Sequence, residues 1–254
     1  MQICWWLYPK YVFLYVSVQL LNSIVHHIYK SKKNVMKKYL FLLGLLMSTL
    51  SLFAQEASVG KSLFSVHAGP SWYLGKMIGI TNNSDAYRSD LRNGVSWGVN
   101  YYYLGDKYIF DSFKLSPGLI YQGGQYKNSH DEGSDKILMN YIAPQIALFY
   151  VKQKFNLSLS TGLGYQLYKD KSLVYDKPRN VSMNKLAYNL SAGGEYLFSQ
   201  HIGISAKVNW IVTSSDSYSV KYHGQKWQVE SPELNGGGGC FSQLSLLFGM
   251  NFHF

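Results

Sequence analysis

The stretch Leu244-Ser245-Leu246-Leu247-Phe248-Gly249-Met250-Asn251-Phe252-His253-Phe254 decides the fold class. Leu244, Leu246, Phe248, Met250, Phe252 and Phe254 form one row, while Gln243, Ser245, Gly249, Asn251 and His253 make the other row mostly polar or small. Alternation of period two is the signature of a strand with an apolar medium on one face and a polar one on the other. A soluble sandwich strand is typically ~5–6 residues. A strand that crosses a bilayer needs ~9–11, and this stretch reaches that length.

Working outward, seven further segments alternate in the same way. They are Ser62 to Leu74, Gly94 to Leu104, Ser112 to Gln122, Ile137 to Tyr150, Phe155 to Tyr168, Leu186 to Phe198 and His201 to Thr213. The fifth strand of the eight is the clearest: Phe155, Leu157, Leu159, Leu163, Tyr165 and Leu167 oppose Asn156, Ser158, Ser160, Gly162, Gly164 and Gln166. The fourth is the least regular. Long polar connections at 75–93, 123–136, 169–185 and 214–240 alternate with short ones at Gly105 to Asp111, Val151 to Lys154 and Ser199 to Gln200. All long connections therefore leave on one side of an up-and-down meander, the asymmetry of an outer-membrane barrel. Closure follows because an open edge in lipid would leave backbone groups unpaired. The expectation is an all-β, eight-stranded antiparallel up-and-down transmembrane β-barrel, with the Leu, Tyr and Trp row outward. A soluble lipocalin-like barrel, with the opposite polarity, is the competing architecture.

The beginning of the chain reads as a targeting region. Met36, Lys37 and Lys38, an apolar run from Tyr39 to Leu50 and a small-residue exit ending at Ala54 make residues 36–54 a signal peptide, with the barrel domain at 55–254. Residues 1–35 are either a membrane helix or an upstream extension outside the native protein; a complete signal peptide behind Met36 favours the extension. The net charge of +10 does not point to nucleic acid, because residues 1–54 carry six lysines and no acid or arginine. Cys4 and Cys240 are the two cysteines, so the exported part is expected to hold no internal disulfide.

The final strand, the signal peptide and the eight alternating segments together resemble the small outer-membrane β-barrel proteins of Gram-negative bacteria, the porin-like and OmpX-like group. The resemblance implies location in the cell outer membrane, contact with outer-membrane lipid, and a terminal assembly signal read by the barrel-insertion machinery. Phe248, Phe252 and Phe254 match that signal. No cofactor and no catalytic centre are expected.

Candidate chemistry is sparse. Lys114, Glu195 and Lys207 fall on the inward row, where a charge requires a partner or water; Glu195 is expected to pair with Lys207 on the neighbouring strand. An ion path is the functional alternative. His67 is on the inward row of the first strand, without a nucleophile motif for lipid hydrolysis. Asn82, Asn83, Asp85, Arg88 and Asp90 could surround a cation but lack EF-hand spacing. The run Asn235 to Cys240 is glycine-rich without the Lys-Ser/Thr that phosphate cradling needs. Trp72, Tyr101, Tyr103, Tyr121 and Trp210 are expected as interfacial aromatics. The leading reading is a non-enzymatic scaffold presenting outer loops to an unknown extracellular partner. A small porin and a lipid-modifying enzyme are the other readings.

Overall fold

The computed structural model describes residues 60–254 apart from 76, 78, 106, 107, 110, 111, 153, 216 and 231–238. The expected signal peptide, the upstream extension and most of the glycine-rich run lie outside the described residues. The elements in order are β1 Ser62–Leu74, α1 Asp85–Leu91, β2 Asn93–Tyr103, β3 Phe113–His130, β4 Gly133–Lys152, β5 Phe155–Val174, β6 Lys177–Leu197, β7 Ile202–Val212, β8 Ser214–Ser215, β9 Ser217–Tyr222, β10 Gln225–Glu230, β11 Gly239–Cys240 and β12 Ser242–His253.

Strands β1 to β7 and β12 form a closed antiparallel ring of eight, in which β12 pairs with both β1 and β7, and β6 pairs with β7. The seam between β1 and β12 is tied at its end by Ser62 N to Phe254 O (2.9 Å) and Phe254 N to Ser62 O (3.0 Å). A walk at constant register from Leu63 passes Tyr102, Gly118, Gln145, Gly162, Asn189, Ile211 and Gln243, and comes back to β1 at Tyr73, ten residues farther on. This stagger tilts the strands by about 35–45° and fixes a narrow interior that side chains fill.

Two of the expected long loops are not loops. Residues 123–136 extend β3 and β4 to a turn at Asp131–Glu132, and 169–185 extend β5 and β6 to a turn at Tyr175–Asp176. Residues 214–240 contain the β9–β10 hairpin, which pairs with the far part of β6 through Arg179–Tyr222 to Ser182–Ser219. Loop 75–93 contains α1, capped by Ser84.

The polarity of the wall inverts along its length. In the lower part Leu115, Leu119, Ile142, Ile146, Leu157, Leu159 and Leu163 are exposed on the outside. Inside the same part stand Ser116, Gln122, Gln145, Asn156, Asn189 and Asn209, all buried. In the extensions the inward positions become apolar: Tyr126, Ile137, Met139, Tyr168, Val181 and Met183 join one buried cluster. The outward positions there carry exposed Lys127, Lys136, Lys169 and Lys171. A wall in lipid must be apolar outside, whereas a wall in water must bury its apolar row. This inversion is why β4, which crosses it at Ile137 to Ile142, alternates poorly in sequence. No helix among the described residues is long and apolar enough to cross a membrane.

Candidate functional site

The lumen is occupied at every level. At the inner end Leu63, Tyr102, Leu104, Ala147 and Phe149 pack together. In the middle Ile120, Tyr141, Ala143, Ala187 and Ile211 form a second plug. Amides interlock around it: Asn189 Oδ1 accepts from Tyr141 Oη (3.1 Å) and Gln145 Nε2 (2.9 Å), while Asn189 Nδ2 donates to Asn209 Oδ1 (3.1 Å). Between the inner and middle plugs lies a polar cavity of about 30 Å³, lined among others by His67, Glu195 and Lys207. That is room for one or two waters.

The expected Glu195–Lys207 pair is corrected by the structure. The register sets Glu195 against Ser205 and Lys207 against Gly193. Glu195 instead accepts from His253 Nε2 (2.7 Å) and from Asn156 Nδ2 (2.8 Å). To reach His253 its carboxylate passes over β7 at Gly203, where an added Cβ would lie 2.5 Å from Glu195 Oε1. Lys114 donates to Gly105 O (3.0 Å) and its amine stands 4.7 Å from the centre of the Tyr108 ring. His67 is buried in the lumen and shares the cavity with Lys207, with no hydroxyl hydrogen-bonded to it among the described residues.

The outer end carries a group that sequence reasoning missed. Among the described residues of 75–93, Met77, Ile80, Tyr87 and Leu91 turn inward and cap the barrel against Tyr73, Tyr126, Val220 and Phe241. Beneath α1 two buried carboxyls, Asp135 and Asp170, share Arg179, whose Nη2 is 3.6 Å from Asp135 Oδ1 and 4.0 Å from Asp170 Oδ2. Asp135 Oδ2 accepts from Thr81 N (2.9 Å), Thr81 Oγ1 (2.7 Å) and Tyr87 Oη (2.9 Å). Arg179 also donates to Gly79 O. Burial, and next the Asp135 carboxyl, raise the pKa of Asp170 above the usual carboxylate range. Burial pushes the Tyr87 phenol up to about 12. The signal for this cap is the apolar set Met77, Ile80, Tyr87 and Leu91 inside a segment otherwise polar enough to read as solvated loop.

The residues considered as a cation site serve the cap locally. Asn82 Oδ1 accepts from Ser84 N (2.8 Å), and Asn83 Oδ1 from Arg88 Nη2 (2.9 Å). No group of three His, Cys, Asp or Glu gathers among the described residues. Trp72, Tyr101, Tyr103, Tyr121 and Trp210 all stand outward and exposed, with Tyr101 and Tyr103 at the inner end and Trp72 joined through Leu244 to Trp210 in one cross-strand row. Phe248 and Phe254 are exposed, and Phe252 packs against Phe64 with ring centres 6.5 Å apart.

No family model matches the sequence, and no curated protein does. The chain is similar to several solved structures. A major outer membrane protein from Thermus thermophilus is 14% identical, with 76% of this chain and 99% of that chain covered and a TM-score of 0.49. Neisserial surface protein A is 10% identical over 78% of this chain and 99% of its own, with a TM-score of 0.47. The attachment invasion locus protein Ail of Yersinia pestis is 12% identical over 78% and 100%, with a TM-score of 0.41.

Proposed function

We propose that this outer-membrane β-barrel is a non-enzymatic, non-conducting scaffold, exported through the signal peptide at 36–54, that holds its outer hairpins in fixed positions for contact at the cell surface. The observation that carries the reading is the filled lumen, with apolar plugs at the inner end, the middle and the outer cap. Ions lose their hydration in such a path, and no continuous row of charged side chains among the described residues replaces it. The strands run on beyond the lipid-facing band as rigid hairpins, which costs ordered backbone and would serve no purpose in a plain membrane anchor. The contact itself is with a partner outside the cell.

Planar-bilayer recording tests this. The purified barrel is expected to give no stable open level under applied voltage. Reproducible conductance steps that change on Tyr141→Ala, which opens the middle plug, would overturn the scaffold in favour of a small porin.

A further inference from the structure

The outward face of the extensions carries an ordered row of cations. Lys127 of β3 stands opposite Lys136 of β4. The register that pairs Ser134 with Leu173 and Ile137 with Asp170 sets Lys136 beside Lys171 of β5. Lys171 pairs with Asn180 of β6, Asn180 with Lys221 of β9, and Lys221 with Lys226 of β10. All six residues are exposed. With strands ~4.8 Å apart, five lysines and one asparagine span about 24 Å.

The position of the row follows from the stagger. A line at constant register climbs outward from β1 toward β12, so Lys127 is its lowest member and Lys226 its farthest. Its lower part begins at the edge of the lipid-facing band: Lys136 is the next outward position after Leu138, and Lys169, below Lys171, is the next after Leu167. The row therefore starts at headgroup level and rises into the space above the membrane.

Among the described residues, the charge on this face is not balanced by acids on the same face. Asp135 and Asp170 are buried inside, Asp131, Glu132 and Asp176 sit at the hairpin turns, and Glu230 ends β10. Neither the five lysines of the row nor Lys169 takes part in an ion pair among the described residues. Like charges directly opposite each other in an antiparallel pair are destabilising, and Lys127–Lys136 and Lys221–Lys226 are two such pairs. An anion alongside would relieve both.

We propose that this row is a binding site for a phosphorylated glycolipid of the outer leaflet. Its headgroup phosphates meet Lys127, Lys136 and Lys169, and the anionic groups of its sugars continue along Lys171, Lys221 and Lys226. A lipid-anchored polyanion is favoured over a soluble one because the row begins at the lipid edge and climbs from it. The inference rests on the outer-membrane reading of the chain and is independent of whether the lumen conducts.

The test places the barrel in nanodiscs of phosphatidylcholine alone, with added lipopolysaccharide, or with lipopolysaccharide enzymatically stripped of its phosphates. The wild type is compared with a variant carrying Lys127→Gln, Lys136→Gln, Lys171→Gln, Lys221→Gln and Lys226→Gln. Native mass spectrometry counts retained glycolipid, and heat-modifiable gel mobility reports the folded barrel in every sample. The wild type is expected to retain the phosphorylated form at least roughly tenfold more than the variant does, in a salt-sensitive manner. Equal retention by the glutamine variant, or of the dephosphorylated lipid, would overturn the site. Saturation of the row by soluble polyphosphate in phosphatidylcholine discs, with no gain from the glycolipid, would overturn the lipid as its occupant. Loss of heat modifiability in all samples would instead overturn the barrel reading beneath it.

Discussion

His253 Nε2 donates to Glu195 Oε1 at 2.7 Å across the whole width of β7, and Gly203 is the residue over which they meet. Both partners are buried, so removing one leaves the other short of a hydrogen bond. His253→Ala is expected to cost about 1–3 kcal/mol in detergent unfolding. Gly203→Ala should cost a similar amount by displacing the carboxylate. In a Glu195→Ala background that cost should largely disappear, a coupling of about 0.5–3 kcal/mol. Additive losses would show that Gly203 serves some other contact.

The capped end should respond to pH through Asp170. Its folded pKa is raised, so the folded state binds the proton more tightly than the unfolded chain does. Stability of the cap is expected to fall as pH rises from about 4, the unfolded carboxyl value, toward the raised folded value. Asp170→Asn should flatten this dependence and protect α1 at neutral pH. Asp135→Asn should also weaken the pH dependence, because the Asp135 carboxyl helps raise Asp170, but it should expose α1 rather than protect it, since Asp135 holds Thr81 and Tyr87. Hydrogen exchange of the α1 amides across that pH range distinguishes the two signs.

A lipid-facing wall and a soluble wall answer differently to charge. Leu159 is 52% exposed on the outside of β5, within the apolar band. Leu159→Arg is expected to destabilise the barrel in phosphatidylcholine vesicles by about 2–4 kcal/mol, depending on depth. On a water-facing wall the same change would stay within about 0.5 kcal/mol. Denaturant unfolding from vesicles measures it.

Phe254 contributes backbone pairing to Ser62, but its side chain is 64% exposed. Phe254→Ala is therefore expected to leave the unfolding midpoint in detergent within about 0.5 kcal/mol of wild type. If the residue is the assembly signal, the heat-modifiable fraction in the outer membrane falls while the folded barrel is unharmed. A matching loss in both measurements would assign Phe254 to stability instead.

Most of the wall is legible in the chain because side-chain direction in a strand repeats every two residues, a local property. Ser62 to Leu74 reads as a strand with the bounds the structure gives. The four segments read as long connections all fall at one end of the barrel, but two of them are strand extensions closed by two-residue turns, shorter than the connection between β2 and β3 at the other end. The upper parts of β3 to β6 read as loops because Lys127, Lys136, Lys169 and Lys171 replace the apolar row by which the lower strands are recognised. The apolar row does not vanish there; it moves to the other face, at Tyr126, Ile137, Met139 and Tyr168.

The alternation alone determined that this chain forms long strands with one apolar and one polar row, since a period of two and strand length need no knowledge of neighbours. That the apolar row is the outer one is seen only in the closed ring, where Leu119, Leu159 and Leu163 are exposed and Gln145, Asn189 and Asn209 are buried. Who meets whom inside was decided by closure. A ten-residue stagger around the ring brings residues of β6 and β12 to one level, so Glu195 meets His253 rather than Lys207. The same stagger turns lysines scattered over five strands into one rising line. Such adjacency arises from the global register of a closed sheet, which no local window of sequence contains.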